Sequence, residues 1–250
     1  MVVKNISALT LLLTTAFFCN AQKKVTYDNQ QWLQYFNQLK LSEKLTLYTD
    51  MSLRRINNFN DWSQITFRTG LGYSLTQNLQ GITGIACFTF YTQNKLSRIE
   101  FRPYQEINTT QTFGKVSIQH RFRVEARYFR NVSDGEITNT SNFNLRFRYR
   151  LYSSTAILKL SETKQDRKLL LNIGDEIFIN AGNEIKYNMF DNNRFSVGVT
   201  YQNNNNLSFY LGYINQFGQR SSPATYENSD ILILGITQKI SLYKTGTKSP

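Results

Sequence analysis

Val116-Ser117-Ile118-Gln119-His120-Arg121-Phe122-Arg123-Val124-Glu125-Ala126-Arg127-Tyr128 decides the fold class. Ile118, His120, Phe122, Val124, Ala126 and Tyr128 alternate with Ser117, Gln119, Arg121, Arg123, Glu125 and Arg127. Successive side chains of a strand point to opposite faces, so the stretch predicts a strand with one oily and one charged face. Further on, Phe143, Leu145, Phe147, Tyr149 and Leu151 alternate with Asn144, Arg146, Arg148 and Arg150. Upstream, Arg98, Glu100, Arg102, Tyr104 and Glu106 oppose Ile99, Phe101, Pro103 and Ile107.

The same period of two, broken by polar turns, runs outward to both ends of the chain. It marks segments 31–41, 44–56, 62–75, 79–91, 98–109, 115–130, 142–158, 168–180, 194–203, 207–216 and 230–242. There is no convincing apolar stripe at helical spacing, no linker and no break in composition. One all-β domain is expected.

Alternation alone does not say which face is inside. A soluble barrel turns its oily face inward; an outer-membrane barrel turns it outward to lipid. The segments are long enough to cross a bilayer at a tilt, which takes ~9–11 residues. They outnumber the strands of a lipocalin-type barrel. Tyr35, Tyr73, Tyr91, Tyr128, Tyr152, Tyr201 and Tyr213 lie near segment ends, as interfacial girdles do. The expected fold is a single antiparallel transmembrane β-barrel, with a soluble periplasmic β-protein as the alternative.

Short turns near Ser42-Glu43, Thr76-Gln77-Asn78, 110–114 and 203–206 alternate with longer ones at 57–61, 92–96, 131–140, 181–193 and 218–228; the 159–167 connection is longer than this parity predicts. Bacterial barrels have even strand numbers, so about 12 strands are expected, with 10 or 14 as alternatives. The missing strand is sought around Lys23 to Gln30, with Asp230 to Leu242 closing the barrel and both termini in the periplasm.

The 250 residues carry a net charge of +12, with 40% hydrophobic and 14% aromatic residues. So many aromatics argue against a disordered chain, and no run after residue 22 is apolar enough for a spanning helix. Lys4, the apolar stretch from Ile6 to Phe18 and Cys19-Asn20-Ala21 read as a cleaved signal peptide over 1–21, leaving 22–250 as the barrel domain. Phe18 is too bulky for a lipidation site at Cys19. Cys87 then stands alone, which excludes an internal disulfide and a cysteine metal site; it is expected to be a small buried strand residue.

Several stretches together resemble a known family: Trp32-Leu33-Gln34-Tyr35, Arg68-Thr69-Gly70-Leu71-Gly72-Tyr73, Glu100-Phe101-Arg102-Pro103-Tyr104-Gln105 and His120-Arg121-Phe122-Arg123 with Glu125 and Arg127. Arg146-Phe147-Arg148-Tyr149-Arg150, Glu176-Ile177-Phe178-Ile179-Asn180, Asn193-Arg194-Phe195 and Gly212-Tyr213-Ile214-Asn215-Gln216 follow in order. They are similar to the Bacteroidota outer-membrane β-barrel family called domain of unknown function 2490. That resemblance covers nearly the whole chain after the signal. It implies an outer-membrane barrel and carries no activity or site residues with it.

Nine of the 15 arginines lie between Arg98 and Arg150, against five carboxylates. The candidate lumen charge network is Arg98, Glu100, Arg102, Glu106, Arg121, Arg123, Glu125, Arg127, Arg146, Arg148, Arg150 and Glu176; Arg54, Arg68 and Arg194 are further candidates. In the structural interpretation Arg–Glu pairs fill a narrow lumen, with Glu125 and Glu176 as central acceptors. In the functional one the arginines attract anions.

Catalysis finds little support. Acyl-cleaving barrels need a serine activated by a nearby histidine. The single histidine, His120, sits on the oily face, and Ser117 falls on the opposite one. Asp175 and Glu176 are neighbours and so face opposite ways, with Glu176 expected inside. No metal-ligand spacing is present and no cofactor is expected. The export signal and the placement of the basic residues in strands argue against nucleic acid. Gly70-Leu71-Gly72 is no phosphate loop; it is expected to thin the lumen wall or relieve strand crowding.

Three functions follow in order. The first is a small pore favouring anionic solutes, tested by exchanging Arg123 and Arg148 for Glu. The second is a non-conducting structural or interaction barrel with a filled lumen, meeting partners through 131–140, 181–193 and 217–228. The weakest is a lipid-modifying enzyme using His120. Outer-membrane lipid and small anionic solutes are the expected partners.

Overall fold

The computed structural model describes residues 23–139, 141–164 and 166–243; the expected signal peptide lies outside the described residues. All regular structure among them is strand. The order is β1 (Lys24–Lys40), β2 (Leu45–Ile56), β3 (Asp61–Ser74), β4 (Leu79–Thr92), β5 (Lys95–Phe113), β6 (Val116–Ser133), β7 (Glu136–Ile137), β8 (Asn142–Lys159), β9 (Lys168–Ala181), β10 (Phe190–Gln202), β11 (Leu207–Gln219) and β12 (Thr225–Ser241). Neighbours in sequence pair antiparallel around a closed barrel of 11 strands, and the two-residue β7 lies outside it on the end of β6.

An odd number of strands closes only if one pair runs parallel. Here β1 runs parallel to β12, from Lys24 beside Thr225 to Lys40 beside Ser241. Each of the eleven sequence segments matches one barrel strand. The twelfth, sought around Lys23 to Gln30, is the first half of β1. The parallel seam also overturns the expectation that both termini share one end. Lys24 bonds Ala224 O at one rim and Leu242 bonds Lys40 O at the other.

The loops are shorter than expected because the strands run further. Thr92 to Leu96 shrinks to a turn at Gln93 and Asn94, whose φ values of 51° and 60° suit a two-residue hairpin. The 181–193 and 217–228 loops shrink to 182–189 and 220–224. These lengths no longer separate the two ends clearly.

The barrel is inverted relative to a soluble fold. Phe67, Phe101, Phe122, Phe147, Leu211 and Leu234 are exposed on the outside, while Glu100, Arg102, Arg123, Glu125 and Arg127 are buried inside. Cys87, expected buried, is exposed; its cross-strand neighbours are Phe67 and Phe101. A small apolar core of Trp32, Ile214, Ile231 and Ile233 sits inside, against Tyr210.

Glycines make room for the inward tyrosines. A Cβ on Gly84 would stand 2.7 Å from Tyr104 Cζ, and one on Gly198 would stand 2.6 Å from Tyr210 Cε2. Gly70 and Gly72 likewise leave space for Tyr104 and Tyr48, as a thinned wall requires.

Candidate functional site

All twelve residues of the expected charge network stand on inward positions of β5, β6, β8 and β9. The register sets like charges opposite one another: Arg121 faces Arg150 and Arg123 faces Arg148 across β6 and β8. Such pairs repel, and the carboxylates between them relieve the repulsion. Glu125 Oε1 accepts from Arg148 Nη1 at 2.5 Å and lies 3.6 Å from Arg123 Nη1; its Oε2 accepts from Arg102 Nη1 at 3.4 Å. Glu176 Oε1 lies 2.5 Å from Arg121 Nη2 and 2.8 Å from Arg148 Nη2. Glu106 pairs with Arg123 and lies 3.9 Å from Arg121.

These contacts close a ring of alternating charge: Glu125, Arg148, Glu176, Arg121, Glu106, Arg123 and back to Glu125. A branch leads through Arg102 to Glu100. That carboxylate also holds Arg127 at 3.1 Å and Arg98 at 3.0 Å, and its side chain is fully buried. Forked guanidinium donors suit such sharing, because one group reaches two carboxylates at once.

Two acids that the sequence did not single out complete the interior. Asp50 takes Arg68 in a two-pronged bond of 2.6 and 3.0 Å. Asp191 holds Arg146 at 3.0 Å. Asp50 had a signal, since it alternates with Ser52 and Arg54 along β2. Asp191 had none, because it sits where a bulge shifts the β9–β10 register.

Three inward arginines have no carboxylate within salt-bridge distance among the described residues. Arg54 bonds Gln64 at 3.1 Å, Arg150 bonds Gln119 at 2.7 Å and Arg194 bonds Gln216 at 2.6 Å. All three line one cavity of about 1160 Å³. It touches Arg98, Asn131 and Arg220 near one rim and Asn108, Gln119 and Thr237 near the other. Paired charges crowd the β5–β9 side; open space with unpaired positive charge borders them.

His120 lies on the outside, with Nδ1 2.8 Å from Tyr149 Oη. Glu176 points in, while Asp175 is exposed and accepts from Asn193. Among the described residues no group of acids, histidines and cysteines is placed to hold a metal.

Among curated proteins none matches the chain. A family model, described as protein of unknown function (DUF2490), matches residues 29–227. That span holds ten of the eleven barrel strands whole or in large part, together with the entire charge ring, and the chain belongs to this family.

Proposed function

We propose that the protein is an outer-membrane channel whose narrow, positively biased lumen favours small anionic solutes. An apolar exterior around a charged interior suits lipid outside and water within. Strands of 12 to 19 residues exceed what a tilted crossing needs. The observation that carries the pore is one cavity reaching residues of both rims, with Arg54, Arg150 and Arg194 in its wall and, among the described residues, no carboxylate within salt-bridge distance of them. About 1160 Å³ spread over a ~30 Å hydrocarbon core averages ~40 Å² of cross-section. An average of that size suits water and small anions. Rings of arginine favour anions, and the role is non-enzymatic, with residues 1–21 as the export signal.

A second reading has its own support. The closed Arg–Glu ring occupies one side of the lumen, as a non-conducting interaction barrel would use it. A folded barrel that carries no current in a planar bilayer favours this one.

Cys87 tests the membrane half of the proposal. In the chain from residue 22 onward it is the only thiol. In proteoliposomes its labelling by a water-soluble maleimide is expected to be at least about tenfold slower than after unfolding, because reaction needs a hydrated thiolate. Equal rates would place the exterior in water and remove the proposal.

A further inference from the structure

We propose that Arg54 and Arg194 form a binding site for a small multivalent oxyanion, of phosphate or sulfate chemistry, inside the barrel beside Trp32. The site deepens the anion-channel proposal and rests on it for access.

The two guanidinium groups are held by aromatic faces instead of carboxylates. Arg54 Cζ lies 3.7 Å from the Trp32 ring centre. Arg194 Cζ lies 5.1 Å from the same centre and 4.6 Å from that of Phe178. Trp32 is itself fixed: its Nε1 donates to Gln30 at 2.8 Å, and it packs on Ile214, Ile231 and Ile233. Stacking orients a guanidinium while leaving its in-plane donors free. Arg102 shows the contrast, for it stacks on Phe88 at 3.7 Å but spends its charge on Glu100.

Free donors remain at the site. A guanidinium has five N–H groups, and among the described residues each of these two arginines makes one side-chain hydrogen bond, to a neutral glutamine. Arg54 Nε is buried with no partner. Two like charges so placed repel unless an anion joins them.

Spacing sets the ligand class. At 3.7 and 5.1 Å from one ring centre, the two guanidinium carbons lie at most about 8.8 Å apart. Charge-assisted bonds of ~2.8 Å put a guanidinium carbon ~4 Å from the centre of a tetrahedral anion when two-pronged and ~4.5 Å when single. Two single bonds span ~9 Å, so one phosphate or sulfate reaches both, and its second charge matches the second cation. Trp32, Arg54, Gln64, Phe178, Arg194 and Gln216 all border the cavity, so the site is open to it.

The test uses the refolded barrel from residue 22 onward carrying Trp62→Phe, which leaves Trp32 as its one tryptophan. Its emission is followed during titration with inorganic phosphate at constant ionic strength against sodium chloride. A saturable change is expected, weakened at least about tenfold by Arg54→Gln and by Arg194→Gln, and untouched by Arg130→Gln at the outer end of β6. Heat-modifiable migration checks that each variant is folded. If a glutamine variant does not fold, the lysine variant carries the test, since it keeps the charge, loses the fork and is expected to bind several-fold more weakly. No saturable change in the folded protein, or equal binding in variant and parent, overturns the site. Because the readout is fluorescence, phosphate binding without conductance would keep the site and remove the channel; conductance without phosphate binding would do the reverse.

Discussion

Glu125→Gln is expected to destabilise the barrel strongly. Its carboxylate serves Arg102, Arg123 and Arg148, and its side chain is 3% exposed. Removing one member of a buried ionic network leaves the others charged and uncompensated, at a cost of about 3–5 kcal/mol. Arg123 and Arg148 would then face each other across β6 and β8 with less negative charge between them. The urea midpoint of the refolded barrel is expected to fall by on the order of 1–2 M. Glu136→Gln, at an exposed position in β7 outside the barrel, is expected to leave the midpoint where it was. Adding Arg148→Gln to Glu125→Gln should recover part of the loss, since the double change removes a stranded cation; a double-mutant cycle measures that coupling. Equal midpoints for Glu125→Gln and the parent would show that the ring carries no stability.

Replacing Arg54, Arg150 and Arg194 together by Glu is expected to turn the lumen from anion-favouring to cation-favouring. None of the three makes an ion pair among the described residues, so the change breaks no link of the charge ring, although Arg150 and Arg194 stand opposite Glu176 on β8 and β10 and their reversal adds repulsion there. Arg123→Glu and Arg148→Glu, which the sequence alone suggests, act differently. Both residues belong to the ring, and their reversal places new carboxylates beside Glu106, Glu125 and Glu176. Loss of folded protein is the expected outcome there, and it would mask any change in selectivity. Reversal potentials of the triple variant under a salt gradient check the first expectation. An unchanged sign would detach selectivity from these arginines.

The period-two pattern made the strands legible because an inverted barrel still segregates oil from charge along every strand. It also placed Glu125 and Glu176 as shared acceptors, since alternation fixes the face and the arginines around them fix the partners. The twelfth strand failed for a physical reason. Asp28-Asn29-Gln30-Gln31 has no oily face, yet its backbone pairs with β12, and a ladder of main-chain bonds asks nothing of the side chains. The evenness of bacterial barrels then pulled the count away from eleven. Cys87 was misplaced because a small strand residue is buried in a soluble core, whereas here burial and apolarity are exchanged. The Trp32 site was invisible because it joins β1 and β2 to β10 across the interior, and no spacing along the chain encodes that approach.

Single-channel recording of the refolded protein in a planar bilayer, under a salt gradient, tests the channel most directly. Discrete small conductances with a reversal potential of the anion-selective sign are predicted. A folded, heat-modifiable barrel that carries no current, or one selective for cations, would contradict it.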